Sequence, residues 1–191
     1  TIKKMVEKSR ALLYYANRWD SCCLQMIHVN ENKNLQIPMQ HLFSKKDSII
    51  STPLFRSARK CISKTGEPYG YLIPKTDTLL IQWMMKHHIG FVPAALHNTQ
   101  KITECYISQI HTDTIEGEPI SKLEIEEYTR KSKSMLMPYF LVPVAQFKSL
   151  FIIQALEPQS MLALHHYPQF KYLLQNKKYP IIRVNHRIYF Y

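Results

Sequence analysis

The residues best suited to chemistry lie at the C-terminal end. From Pro158 to Tyr191 there is no acidic side chain, while Lys171, Lys177, Lys178, Arg183 and Arg187 are basic and Tyr167, Tyr172, Tyr179, Tyr189 and Tyr191 lie among them. Lys177, Lys178, Arg183 and Arg187 suit contacts to phosphates. Lys171, Gln175 and Asn176 belong to FKYLLQNKK, which reads as a short helix able to reach base edges in a major groove. Ile182, Val184, Ile188 and Phe190 give strand character on both sides of Asn185-His186, so a hairpin is expected there. Helices followed by a basic hairpin is the order of a winged helix. The competing reading is a basic, solvated terminus whose tyrosines pack on the core.

The stretch FKYLLQNKKYPIIRVNHRIYFY resembles the end of excisionase-like and MerR-like DNA-binding domains. Those domains place a helix, a basic turn, a proline and a short basic hairpin in this order. The resemblance covers residues 170–191 alone. It departs at Asn176-Lys177 in the turn and at Asn185 in the hairpin, where that family has glycine. It implies DNA binding.

Other chemistries find less support. The chain has nine histidines, but the neighbours His87-His88 and His165-His166 diverge by about 100° within a helix, so neither pair offers two ligands on one face. His111, Asp113 and Glu116 form one small acidic-histidine group without a second cluster to meet it. No metal or cofactor is expected. Cys22, Cys23, Cys61 and Cys105 follow neither zinc nor disulfide spacing and read as reduced, buried thiols. No serine sits in a glycine elbow, and no paired-carboxylate motif supports a nuclease. An enzyme, nuclease included, is therefore the third choice. An adaptor module that receives an acidic protein on its basic face is the second. Non-catalytic nucleic-acid binding, DNA before RNA, is the first. The net charge of +11 favours a polyanionic partner in either of the first two cases.

These residues need a scaffold. With 46% hydrophobic residues the chain can bury a core, and its four glycines argue against a phosphate-cradling loop. MLMPYFLVPVAQFKSLFIIQAL, residues 135–156, reads as the centre of that core. Pro143 is placed to begin a helix to Leu156 that is apolar on nearly every face. Helices are also expected over residues 2–19, from a cap at Thr52-Pro53 to Lys64, from a cap at Asp77 to His88, over 159–166, and from Pro168 to Lys178. Ser121 with Glu124 makes a capping box, and Ile120 with Ile125 a hydrophobic staple, so a helix is expected from Ser121 to Met137. Thr99–Ile110 reads as a strand. HTDTIEGEP reads as a polar boundary loop.

The expected architecture is α+β and mostly helical. An N-terminal mixed part spans residues 1–115. A helical part with a C-terminal, winged-helix-like hairpin spans 119–191. The prolines, glutamines and lysine in the apolar run argue against a membrane span. Without a signal peptide, and with unspaced cysteines, a cytoplasmic or nuclear location is expected.

Overall fold

The computed structural model describes residues 21–29, 34–52, 58–95, 100–115, 118–132 and 136–185. The expected helix at residues 2–19, most of the NENKN turn and the far half of the C-terminal hairpin, including Arg187, lie outside them. Strands dominate what is described, so the mostly helical expectation is corrected. There are ten: β1 (Cys22–Val29), β2 (Leu35–Gln40), β3 (Asp47–Thr52), β4 (Ala58–Thr65), β5 (Gly70–Pro74), β6 (Val92–Ala95), β7 (Lys101–Ile115), β8 (Glu118–Lys131), β9 (Leu136–Pro143) and β10 (Ile182–Val184). Two α-helices, α1 (Thr78–Lys86) and α2 (Ser149–Leu156), and 3₁₀ helices at Leu164–His166 and Pro168–Leu174 complete the described elements.

Six strands form one sheet in the order β6-β9-β5-β10-β7-β8. Every neighbouring pair is antiparallel. Two crossovers interlock in it. The chain leaves β5 through α1 and returns as β6, with β9 lying between. It leaves β9 through α2 and the 3₁₀ helices and returns as β10, with β5 lying between. Both helices cover one face, where Tyr71, Ile73 and Val142 of the sheet pack with Leu80, Met84, Ile152, Ile153 and Leu156. The alternate residues Leu72, Leu141, Ile182 and Val184 form a second cluster with Ala94 and Ile102. This is the two-residue alternation of strands, buried on both sides. It explains why the run around β9 is apolar without a break, and the helix expected from Pro143 begins only at Ser149. Gly70 is required where β5 meets β9: a Cβ there would lie 2.6 Å from the Val142 carbonyl oxygen.

The winged-helix expectation fails here. β10 is a central strand, bonded to β5 on one side and β7 on the other, and not the first arm of an exposed wing. The helix expected at 121–137 is also replaced. Residues 121–131 belong to β8, paired along β7, with Leu123 buried and Lys122 and Glu124 exposed in alternation. Residues 111–115 and 118–119 of the HTDTIEGEP segment are the ends of these two strands. Strands from both sides of residues 116–117 share the six-stranded sheet. Thr52 ends β3, and Ala58–Thr65 is strand where helix was expected.

β1 pairs with β4, and β2 with β3, as two further antiparallel hairpins. A disulfide joins Cys23 of β1 to Cys61 of β4, which corrects the reading of four reduced thiols. Cys22 and Cys105 are free and buried. No helix among the described residues is long and apolar enough to cross a membrane.

Candidate binding cleft

The residues named for nucleic-acid contact divide. Lys171 is exposed on the second 3₁₀ helix, and Gln175, Asn176 and Lys177 are exposed just beyond it. Lys178 instead lies 2.9 Å from the Glu104 carboxylate, which Arg130 meets at 2.6 Å. Burial raises the Glu104 pKa, but the hydrogen bonds from Arg130 and Lys178 outweigh it, so the net shift is downward.

Arg183 is the hub of a buried ionic cluster. Its Nε donates to Glu157 Oε1 at 2.8 Å and its Nη2 to Oε2 at 2.5 Å. The same guanidinium reaches Glu127 at 3.0 and 3.2 Å. Tyr71 donates its hydroxyl to Glu157 at 2.7 Å. Glu157 is 1% exposed, so its charge depends on these partners. Burial opposes the charge on Arg183, but Glu157 and Glu127 outweigh it and raise its pKa. Burial and then Glu157 raise the Tyr71 phenol. An arginine committed to two carboxylates has no free fork for phosphate. With the winged helix gone as well, the DNA-reading function is withdrawn.

A different site emerges where the two crossovers meet. A cleft of about 550 Å³ is bounded by Trp83 of α1 and His87 just past its end, Phe151 and Gln154 of α2, Tyr167 between the 3₁₀ helices and Phe170 in the second of them. Trp83 and His87 are four residues apart and so share one helix face. The Trp83 and Phe151 rings stack at 5.5 Å with 26° between planes. The His87 ring lies 5.2 Å from Trp83 and 5.1 Å from Phe151. Phe151 is 41% and Tyr167 49% exposed, while Trp83 is buried, so two aromatic side chains of the cleft meet solvent. None of its lining side chains is acidic.

The walls are tied down by polar contacts. Asp77 caps α1 by accepting from the Leu80 amide, and accepts the Tyr172 hydroxyl at 2.7 Å from the second 3₁₀ helix. Burial and then Asp77 raise the Tyr172 phenol, so it stays a donor. At the other end of α1, His88 adopts φ 51°, the left-handed turn that closes many helices. Lys148 donates to the His87 carbonyl, and Gln146 bonds both polar backbone groups of Gly90. On α2, Gln154 donates to the Cys23 carbonyl and accepts from Ser160. Its amide is therefore committed to the wall, leaving His87, Tyr167 and Gln169 as polar groups at the cleft.

The helix cap at Asp77 was legible, but the placement of His87 was not: it is exposed at the end of α1, while Trp83 is buried. The one signal that could have pointed further is the spacing of four between Trp83 and His87. Phe151 and Tyr167 carried no such signal, because only the crossovers bring them to α1. Among the described residues, no group of three or more His, Cys, Asp or Glu is placed to hold a metal ion. Comparison with protein-family models, curated proteins and solved structures finds no match for this chain.

Proposed function

We propose that this chain is a ligand-binding domain whose cleft receives a flat apolar or aromatic ring. The observation that carries the reading is the Trp83-His87-Phe151 cluster opening onto a cleft of about 550 Å³. That volume suits a small ligand or one side chain, within the roughly 300–1,000 Å³ of typical sites. Ring faces attract other rings in offset or edge-on geometry, and the capped, bonded walls reduce the ordering cost of binding. The ring comes either free or on a partner's chain.

Fluorescence tests this reading, because Trp83 lies in the site. Para-nitrophenol serves as the free ring, and a short peptide bearing para-nitrophenylalanine as the chain-borne one. Saturable quenching is expected with at least one, and it is expected to vanish in Trp83→Phe. Phe151→Ala should weaken binding by about 2 kcal/mol, the loss of one large apolar contact. Quenching that never saturates, or that ignores Phe151→Ala, would refute the site.

Compartment belongs to the same reading. A cytoplasmic or nuclear location rests on reduced cysteines, whereas the Cys23–Cys61 bond supports an oxidising compartment, since such bonds persist there. Thiol titration of the unfolded, unreduced chain is expected to detect Cys22 and Cys105 alone. Detection of all four thiols would favour the cytoplasm or nucleus.

A further inference from the structure

Among the described residues, none gives the tip of the β2–β3 hairpin an apolar cover. Leu42 is 71% and Phe43 85% exposed, and the one ring contact of Phe43 among the described residues is with His41 of the same loop, at 6.2 Å. The loop is nevertheless well formed. His41 donates its amide to the Lys46 carbonyl and accepts from the Lys45 amide, each at 2.9 Å. The His41 ring accepts from the Ser44 amide at 3.2 Å. Lys45 closes the loop with φ 55°, a left-handed conformation that a lysine adopts at a cost. The result is an ordered turn that holds two large apolar side chains outward and sets Lys45 and Lys46 immediately behind them.

The strands continue the pattern. Ile37 pairs with Ile50, and Pro38 with Ile49. Ile37, Met39, Ile49 and Ile50 are 39%, 49%, 67% and 49% exposed. Strand alternation puts Ile37, Met39 and Ile50 on one face of the hairpin and Ile49 on the other; single exposed apolar residues need no explanation, but this many on one short hairpin do. The sole acidic residue of the hairpin, Asp47, accepts from the Gln40 side chain at 3.2 Å, behind the lysines and away from Leu42 and Phe43. An apolar point backed by cations matches a surface that is oily within and negative outside.

We infer that this tip docks on an anionic lipid surface, with Leu42 and Phe43 entering the headgroup region and Lys45 and Lys46 meeting lipid phosphates. The geometry is that of an interfacial anchor, in which apolar insertion and attraction to anionic lipid act together. It requires no membrane span and involves no residue of the aromatic cleft.

Co-sedimentation of the full chain with lipid vesicles tests it. Binding is expected to vesicles of phosphatidylcholine mixed with phosphatidylglycerol, and much weaker binding to pure phosphatidylcholine. Lys45→Gln with Lys46→Gln should reduce binding to the anionic vesicles by about thirtyfold, taking about fivefold for each lysine near the surface. Leu42→Ser with Phe43→Ser should lower it by at least about tenfold. Both pairs of changes fall on exposed loop residues, and unchanged circular dichroism will confirm that the fold is intact. Phe43→Trp should show an added blue shift with anionic vesicles and quenching by brominated lipid, a direct sign of insertion. Absence of vesicle binding, equal binding to neutral lipid, or indifference to the loss of Leu42 and Phe43 would overturn the proposal. So would sedimentation velocity without lipid showing a dimer that the serine variant abolishes, since the tip would then belong to a second copy of this chain.

Discussion

Lys171 and Lys177 stand in solvent, while Lys178 and Arg183, a few residues further along the same acid-free stretch, lie against carboxylates. In sequence the four belong to one basic run. In space the second pair is neutralised by Glu104, Glu127 and Glu157, which come from β7, β8 and the end of α2. A local count of charge therefore says little about a surface potential. The opposing charges arrive from other strands, and a sheet whose central strand comes from the C-terminus brings them together.

The sharpest way to break this contrast is Arg183→Ala. It leaves Glu157 buried beside Tyr71 with no cation, and the expected cost is about 3–5 kcal/mol, read as a drop in the midpoint of urea unfolding. Arg183→Met combined with Glu157→Gln should recover part of that loss, because no buried charge then lacks a partner. A variant as stable as the parent would show that the cluster does not hold the sheet.

Acid gives the second largest effect. His165 is 1% exposed in the 3₁₀ segment beside β8, its Nε2 facing the Ser121 carbonyl at 3.4 Å. Burial, and then His166, bring its pKa down to about 4. The unfolded chain therefore binds this proton first, and stability is lost as pH falls from about 6.5 toward 4, by roughly 3 kcal/mol in total. The depressed carboxyl of Glu104 adds loss in the same direction below its ordinary range. Equilibrium unfolding at successive pH values measures this, and His165→Phe should flatten the slope over that window if the fold tolerates it.

The smallest effect separates the two kinds of lysine. Lys178→Ala should cost about 1 kcal/mol or less, since its side chain is 42% exposed and Arg130 remains on Glu104. Lys177→Ala should change stability by no more than about 0.5 kcal/mol. Equal effects at both positions would erase the distinction between the paired and free parts of the run.

The same lesson applies to the fold. α1 and β8 both carry a helix-start signature, Asp77 in one and Ser121 with Glu124 in the other. Asp77 caps its helix. In β8 the Glu124 carboxylate lies 3.0 Å from His111, and its carbonyl accepts from Ser108. A cap is worth about 1 kcal/mol. Pairing along β7, with Leu123 buried in the core, outweighs it. The apolar run from Leu136 to Leu156 was readable as core but not as a strand followed by a helix, because burial on both sides removes the periodicity that tells them apart. Cys23 and Cys61 were opaque for a related reason: they bond across the irregular stretch of the β1–β4 pair, where the ladder sets Cys23 opposite Lys64 and Cys61 opposite Met26, and sequence spacing shows none of this.

What this chain's sequence determined by itself is local. It includes the helix beginning after Asp77, the extended character of β7, the buried nature of residues around β9, and a strong positive charge. Those features depend on neighbours within a few residues, whose sterics and hydrogen bonds are written in order along the chain. The tertiary structure alone decided that residues 121–131 are strand, that β10 lies inside the sheet, that Arg183 is committed to Glu157, and that Trp83 meets Phe151. Each of these depends on groups brought from distant parts of the chain, and ladder pairing, burial and counter-charge together exceed what local propensity contributes.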